Sequence, residues 1–209
     1  MCCRYFIDAI APEMQPIVEA MNRSPLLGQF PPKALAVSRG EVRPANIAPV
    51  IAFSRSGRRT VFPMQWGFRA KTLLINARTE TAAEKPAFRE AWARHRCIIP
   101  ASWYFEWEHL PAADGKQRTG ERYALRPRGG TGVWLCGLYR MEEGVPRFVV
   151  LTREPGDSVR FLHDRMPLML PAGSIDAWIH PDASPEKLLP SALTDIQSWR
   201  PEAEQISMV

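Results

Sequence analysis

Cys2 follows an initiator methionine, and that position gives a cysteine chemistry it lacks elsewhere in a chain. Removal of Met1 leaves an α-amine and a thiol on adjacent carbons. The amine has an ordinary pKa of about 7.7–8 and the thiol about 8.5, so both stand close to activation at neutral pH. A neighbouring cation lowers a thiol further, and Arg4 lies just beyond Cys2. Such a 1,2-aminothiol condenses with an aldehyde to an imine, which the thiol closes to a five-membered thiazolidine. The same pair also suits an N-terminal nucleophile hydrolase, with the amine as the base for its own thiol. A frayed, idle tip is the third reading, and the residues alone leave all three open.

Three further groups of polar residues sit in apolar surroundings. Asn76 and Arg78 follow Leu74 and Ile75 in LLINARTET. Glu106 alternates with Phe105 and Trp107 in WYFEWEHL, which puts it on the other face of a strand from Trp103, Phe105 and Trp107. His163, Asp164 and Arg165 lie between apolar stretches in FLHDRMPLML. Taken singly, each has a plain structural use as a turn residue, an exposed strand carboxylate or a capping histidine. Together they supply an amide, a carboxylate and an imidazole, the groups that imine chemistry needs to orient an amine and move protons. Cations interleave with aromatics at Arg4-Tyr5-Phe6, at Trp66-Gly67-Phe68-Arg69 and from Arg160-Phe161 to Arg165, an arrangement that can hold a single strand by stacking and phosphate contact. The four histidines, His95, His109, His163 and His180, show no metal-binding spacing, so no metal is expected. No GxGxxG, Walker or GxSxG segment appears, and no cofactor is expected.

These residues need a scaffold, and its pattern is mostly β. Residues 12–22 place Met14, Ile17, Val18 and Met21 on one helical face, and SPLLGQFPPK reads as a loop. Short β-rich runs follow in ALAVSRG, IAPVIAFSRSG and RRTVFPMQWGF, with a hairpin turn at SRSGRR. A helix is predicted after INARTE, with Thr81 and Glu84 at capping-box spacing and Phe88 and Trp92 on one face. RCIIPA, WYFEWEHL, ERYALRP, GVWLCGLYRM and PRFVVLT read as strands. DSVRFLH and GSIDAWIH read as helical turns flanking a strand at RMPLML, SPEKLLP as a short helix, and the polar end has no assignment. This pattern predicts an α+β fold: a curled, largely antiparallel, barrel-like sheet with a few flanking helices. Twenty prolines fit it and exclude a helical bundle.

At 209 residues, 45% hydrophobic and 23% charged, the chain reads as one domain over 1–209 that buries roughly 70% of its unfolded surface without staples. Cys97 and Cys136 sit in apolar runs as buried thiols, not as a disulfide framework. No stretch has the ~18 apolar residues of a membrane span, and no secretory leader is recognised, so a cytoplasmic setting is expected. A net charge of +5 and a pI near 9.3 point toward an anionic partner such as nucleic acid.

The segments taken in order resemble the SRAP family (SOS response-associated peptidase domain). The matching pieces are Met1-Cys2 with Arg4, N-x-A-P at Asn46–Pro49, W-G-F at Trp66–Phe68, INARTET at Ile75–Thr81, W-x-F-E-W at Trp103–Trp107, V-L-T at Val150–Thr152 and H-D-R-M-P at His163–Pro167. They span about four fifths of the chain. The resemblance implies a DNA damage response protein that captures abasic sites in single-stranded DNA, Cys2, freed of Met1, attacking C1′ of the ring-opened sugar through its α-amine and closing a thiazolidine with its thiol. It implies that Asn76 orients the amine, that Glu106 assists proton transfer in ring opening, and that His163 acts as acid and base in the Schiff-base steps. It also implies DNA contacts from Arg4, Trp66, Arg78, Thr152 and Arg165. The partner so implied is single-stranded DNA with abasic sites, bound by a cytoplasmic monomer that joins the nucleoid with its DNA. The family's older assignment is a thiol autopeptidase that removes its own Met1 with the same residues, and a non-covalent DNA-binding module is the other alternative. This chain departs from the pattern at Cys3, where a glycine is usual, at RAKTLL, which lacks a Gly-Trp-Trp loop, and at the C-terminal SWRPEAEQISMV.

Overall fold

The computed structural model describes residues 3–111 and 117–201; Met1 and Cys2 lie outside them, and with them the reading of the Cys2 amine and thiol. In chain order the elements are β1 (Arg4–Ile7), α1 (Gln15–Asn22), β2 (Gly40–Val42), β3 (Ile47–Phe53), β4 (Arg59–Trp66), β5 (Asn76–Arg78), α2 (Thr79–Ala82), α3 (Arg89–Arg94), β6 (Arg96–Ala101), β7 (Trp103–Pro111), β8 (Gln117–Pro127), β9 (Val133–Glu142), β10 (Val145–Arg153), β11 (Met166–Pro167), α4 (Ile175–Ile179) and β12 (Ile196–Trp199). Among the described residues no helix is long and apolar enough to cross a membrane.

Strands β10, β4, β3, β6 and β9 pair in that order, and β9 returns to β10, which closes a barrel. The β3–β4 hairpin turns through SRSGRR as its sequence predicts, and β5 and β11 attach to β10 at one end of the barrel. A second sheet runs β12-β8-β7-β1-β2 beside it. The barrel strands carry apolar runs rather than strict alternation because both of their faces are largely covered. Val50, Cys97, Ile99, Leu135, Phe148 and Val150 point into the core shared with Tyr5, Tyr104 and Leu125 of the second sheet. The alternate residues Ile51, Ile98, Cys136, Leu138, Val149 and Leu151 pack under α2, α3 and α4, with Trp92 and Trp178. Cys97 and Cys136 are fully buried free thiols, and burial pushes both well above the ordinary thiol range.

One residue fastens the helices to the barrel. Arg96, 1% exposed at the start of β6, donates to the carbonyls of Trp92 and Ala93 on α3 and of Trp178, His180 and Ala183 around α4. A guanidinium is suited to this, since its five donors meet carbonyls that helix C-termini leave unsatisfied.

The predicted single helix after INARTE is two short ones. Pro86 lacks the N–H that a continuous helix would use, and the chain turns between α2 and α3 while Phe88 and Trp92 stay together in the core. ALAVSRG gives one isolated bridge, Ala36 to Ile47, and the strand falls at Gly40–Val42. RMPLML narrows to β11 and a bridge from Met169 to Leu135. The polar C-terminal segment contributes β12, which four residues of β8 hold by pairing.

Candidate active site

The start of the chain is the middle of a sheet. β1 lies between β7 and β2, with Arg4 opposite Phe105 and Tyr5 opposite Tyr104. Tyr5 and Phe6 are buried and anchor it. Cys3 precedes Arg4 by one residue and therefore falls beside Glu106, the residue that follows Phe105. Burial raises its thiol above the ordinary range, and the Glu106 carboxylate adds to the effect.

Glu106 is 5% exposed. Alternation on β7 turns it to the same side as Tyr104, toward the core, while Trp103, Phe105 and Trp107 occupy the outer face. An exposed strand carboxylate is thus ruled out. Burial raises the Glu106 carboxyl above the usual carboxylate range, and Asp164 raises it further. A carboxyl of this kind keeps a proton at higher pH than a solvated one and can deliver it.

His163 lies on the turn that follows β10, 7% exposed, where it meets β7 from across the sheet. The His109 amide of β7 donates to the Leu162 carbonyl at 3.1 Å, and the two imidazole centroids are 3.9 Å apart. Two residues of β8, Gly120 and Glu121, oppose Glu108 of β7 at this point, a bulge that adds local twist. Burial lowers the His163 imidazole to a pKa of about 4, so the ring is neutral at pH 7. Its Nδ1 is 2.6 Å from an Asp164 carboxylate oxygen and 3.0 Å from the Arg165 amide nitrogen. The amide donates to Nδ1 when that nitrogen is bare, and the carboxylate accepts from it when it carries a proton. Both protonation states therefore have a partner.

Asn76, half-buried on β5, is the register partner of Val150 and shares a β5 face with Arg78, opposite Ala77. Arg78 is exposed. Arg165 is held by Glu80 through two hydrogen bonds of 2.9 and 2.8 Å and donates to the Thr152 carbonyl at 2.8 Å. Burial opposes the Glu80 charge, but the Arg165 hydrogen bonds more than offset it and hold that carboxyl below its usual range. The Arg165 guanidinium, expected at a phosphate, is thus engaged within the protein.

Two expected DNA contacts are corrected by burial. Trp66 is 0% exposed, its indole N–H donating to the Ile75 carbonyl at 2.9 Å and its ring packed between Tyr5 and Phe148. Thr152 is also 0% exposed, with its hydroxyl 3.4 Å from the Ala77 carbonyl. Neither presents a surface to a strand; both hold β5 and β10 in place. Trp66-Gly67-Phe68 is likewise core, and Gly67 (φ +109°) turns where a Cβ would lie 2.6 Å from Leu73.

A cation-aromatic face that sequence reading missed lies on the outer side of the second sheet. Phe6 stacks on Trp103 at 4.3 Å, and Trp103 meets Trp199 edge-on at 6.1 Å. Arg122 lies over Phe105 at 3.6 Å, Arg4 and Arg122 approach Trp107 at 5.7 and 5.2 Å, and Arg126 approaches Trp199 at 5.5 Å. Glu41 of β2 pairs with Arg4, Arg43 and Arg122. Burial works against its charge, yet the hydrogen bonds from Arg4 and Arg122 hold the carboxyl below its usual range. The period-two spacing of Trp103, Phe105 and Trp107 was the available signal, but Arg122 and Arg126 join it only through the β7–β8 pairing.

Comparisons with known proteins find relatives by sequence and by fold. Abasic site processing protein YoaM of Bacillus subtilis is 31% identical over 199 residues, covering 87% of this chain and 83% of that protein. Abasic site processing protein YoqW of the same organism is 29% identical, covering 99% and 92%. A crystal structure of a phage-related protein from Bordetella bronchiseptica, 19% identical, superposes with a TM-score of 0.73 over 96% of this chain and 94% of that one, and so shares the fold. Residues 1–208 match SOS response associated peptidase (SRAP), and the chain belongs to that family.

Proposed function

We propose that this protein processes abasic sites in DNA, by capturing the opened sugar on Cys2 after Met1 has been removed. The observation that carries the reading is the pairing of β1 with β7, which puts Cys3 beside Glu106. Position 2 is one peptide unit away, about 3.8 Å between Cα atoms. The names of the Bacillus relatives support the same substrate.

The sequence of steps balances without a cofactor. The Glu106 carboxyl, whose hold on its proton burial strengthens, gives that proton to the ring oxygen. The carboxylate so formed takes the proton of the C1′ hydroxyl, so that the sugar opens to an aldehyde and Glu106 is restored. The Cys2 amine adds to C1′, with Asn76 orienting it. His163 takes a proton from the amine adduct and returns it to the departing hydroxyl, so that one water leaves and an imine forms. The thiol sulfur then adds to the imine carbon while its proton passes to the imine nitrogen, which completes the thiazolidine. The neutral His163 ring is in the form that accepts a proton at pH 7. Arg4, Arg78 and the cation-aromatic face over Trp103, Trp107 and Trp199 suit a single-stranded partner, since stacking and phosphate contact act side by side there.

The test is a denaturing gel with a single-stranded oligonucleotide that carries one abasic site. A denaturation-resistant adduct is expected from the native protein and from Cys3→Ala, and none from Cys2→Ala. An adduct from Cys2→Ala overturns the assignment. Self-cleavage as the main activity predicts instead that Met1 persists in Cys2→Ser by intact mass, without any DNA adduct. A non-covalent binding module predicts salt-sensitive binding alone.

A further inference from the structure

His109 is the side chain of this cleft that the proposed reaction leaves without work. It lies 54 positions before His163, which no metal-binding spacing in the sequence would connect, yet the fold sets their rings 3.9 Å apart. Among the described residues, His109, His163 and Asp164 each offer a ligand atom, and these atoms all lie within 4.8 Å of one another. They open onto a cleft of about 420 Å³ that Glu154, Arg160 and Phe161 also line.

Two imidazoles and a carboxylate are borderline nitrogen and oxygen donors. They suit zinc, copper, nickel or cobalt, whereas calcium and magnesium take oxygen ligands. Zinc bonds of about 2.0–2.2 Å put tetrahedral ligand atoms about 3.4 Å apart, so the set must contract. The Asp164 side chain, 77% exposed, is able to swing inward to do so. The open cleft leaves a fourth position for water, as in zinc sites with three protein ligands. The imidazoles come from two separate segments, β7 and the turn after β10, joined at the base by the hydrogen bond from His109 to Leu162. The ligands are therefore carried on a fixed frame.

We propose that His109, His163 and Asp164 bind a divalent transition-metal ion, with zinc the best fit. Occupancy withdraws His163 from proton transfer, so the metal inhibits capture; this second part rests on the function proposed above. The site differs from a thiol site at the chain start, which the experiment must separate.

The binding test uses the full chain with Cys2→Ala and Cys3→Ala, titrated with Co²⁺ by visible absorbance and with Zn²⁺ by calorimetry. One equivalent should bind, and adding His109→Asn or Asp164→Asn should weaken it about 10-fold or more. Asp164 is exposed, so its variant keeps the fold even if the histidine variant does not. No binding, or equal affinity in the Asp164→Asn protein, overturns the site. The second test adds zinc to the abasic-site assay with the cysteines intact. Each protein is compared with itself, with and without zinc: the metal should slow adduct formation in the native protein and leave the rate of Asp164→Asn, whatever its level without metal, unchanged. Equal inhibition in both places the effective metal on the cysteines and overturns the inhibitory role. Should no adduct form at all, the proposed function fails while the Co²⁺ titration still decides the site.

Discussion

At the scale of single residues, Glu106 carries the largest conflict between stability and chemistry. Its carboxyl is raised by burial, so the folded state disfavours the charged form that prevails in the unfolded chain at neutral pH. That penalty is full above the raised pKa and fades as pH falls through it toward the ordinary value of about 4.3. Glu106→Gln keeps the shape and removes the charge. Thermal unfolding at pH 7 should therefore rise by about 2–4 °C for each 1 kcal/mol recovered, and the gain over the native protein should shrink as the pH is lowered to 4.5. The same variant should slow adduct formation by roughly 10²-fold or more, the usual worth of a positioned acid. A variant less stable than the native protein at pH 7 would show that the charge is needed by the fold. Cys3 gains a physical account at this scale: burial and Glu106 keep its thiol protonated, so it stands beside the reactive pair without competing with it.

At the scale of elements, the arrangement depends on anchors whose partners are distant in sequence. Arg96 gathers the ends of α3 and α4 onto β6. Arg96→Lys supplies three donors from a point charge in place of five in a fork and leaves several buried carbonyls unmet. A loss of about 2–4 kcal/mol is expected, read by denaturant unfolding, while the Cys2 chemistry at the other sheet should persist in whatever fraction remains folded. The strands were legible because their residues repeat or fill runs: β3, β4, β6, β7, β9 and β10 each announce themselves by composition. β12 was not, since IQSW is polar and owes its place to β8. The helix after INARTE was misjudged because Pro86 outweighs the spacing of Thr81 and Glu84. For the site, the alternation of WYFEWEHL gave the side of Glu106 correctly but not its depth, which depends on how β7 lies against the barrel. Trp66 looked like a stacking residue beside Arg69, and burial made it part of the core. His109 had no sequence signal at all, since its neighbour His163 comes from a separate segment.

At the scale of the whole molecule, the excess of basic charge is not spread evenly in its effect. Glu41 offsets Arg4, Arg43 and Arg122, Glu80 offsets Arg165 and Asp157 offsets Arg160, while Arg78 stands exposed on β5. Binding to undamaged single-stranded DNA should weaken linearly on a log–log plot against salt, by about 0.7 per phosphate neutralised. Arg78→Ala should lower that slope by about 0.7 and weaken binding alike for all sequences, measured by fluorescence anisotropy at several salt concentrations. An unchanged slope would remove Arg78 from the phosphate contacts.

The central position of β1 has a consequence in time. Ribosomes make this strand well before β7, which flanks it on the Glu106 side and begins at Trp103. At about 5–20 residues per second, roughly 5–20 s separate the two. Through that interval the head of the growing chain has no β7 to pair with, and enzymes that trim nascent chains can reach it. Once β7 emerges, β1 gains its partner on the Glu106 side and the sheet closes around it.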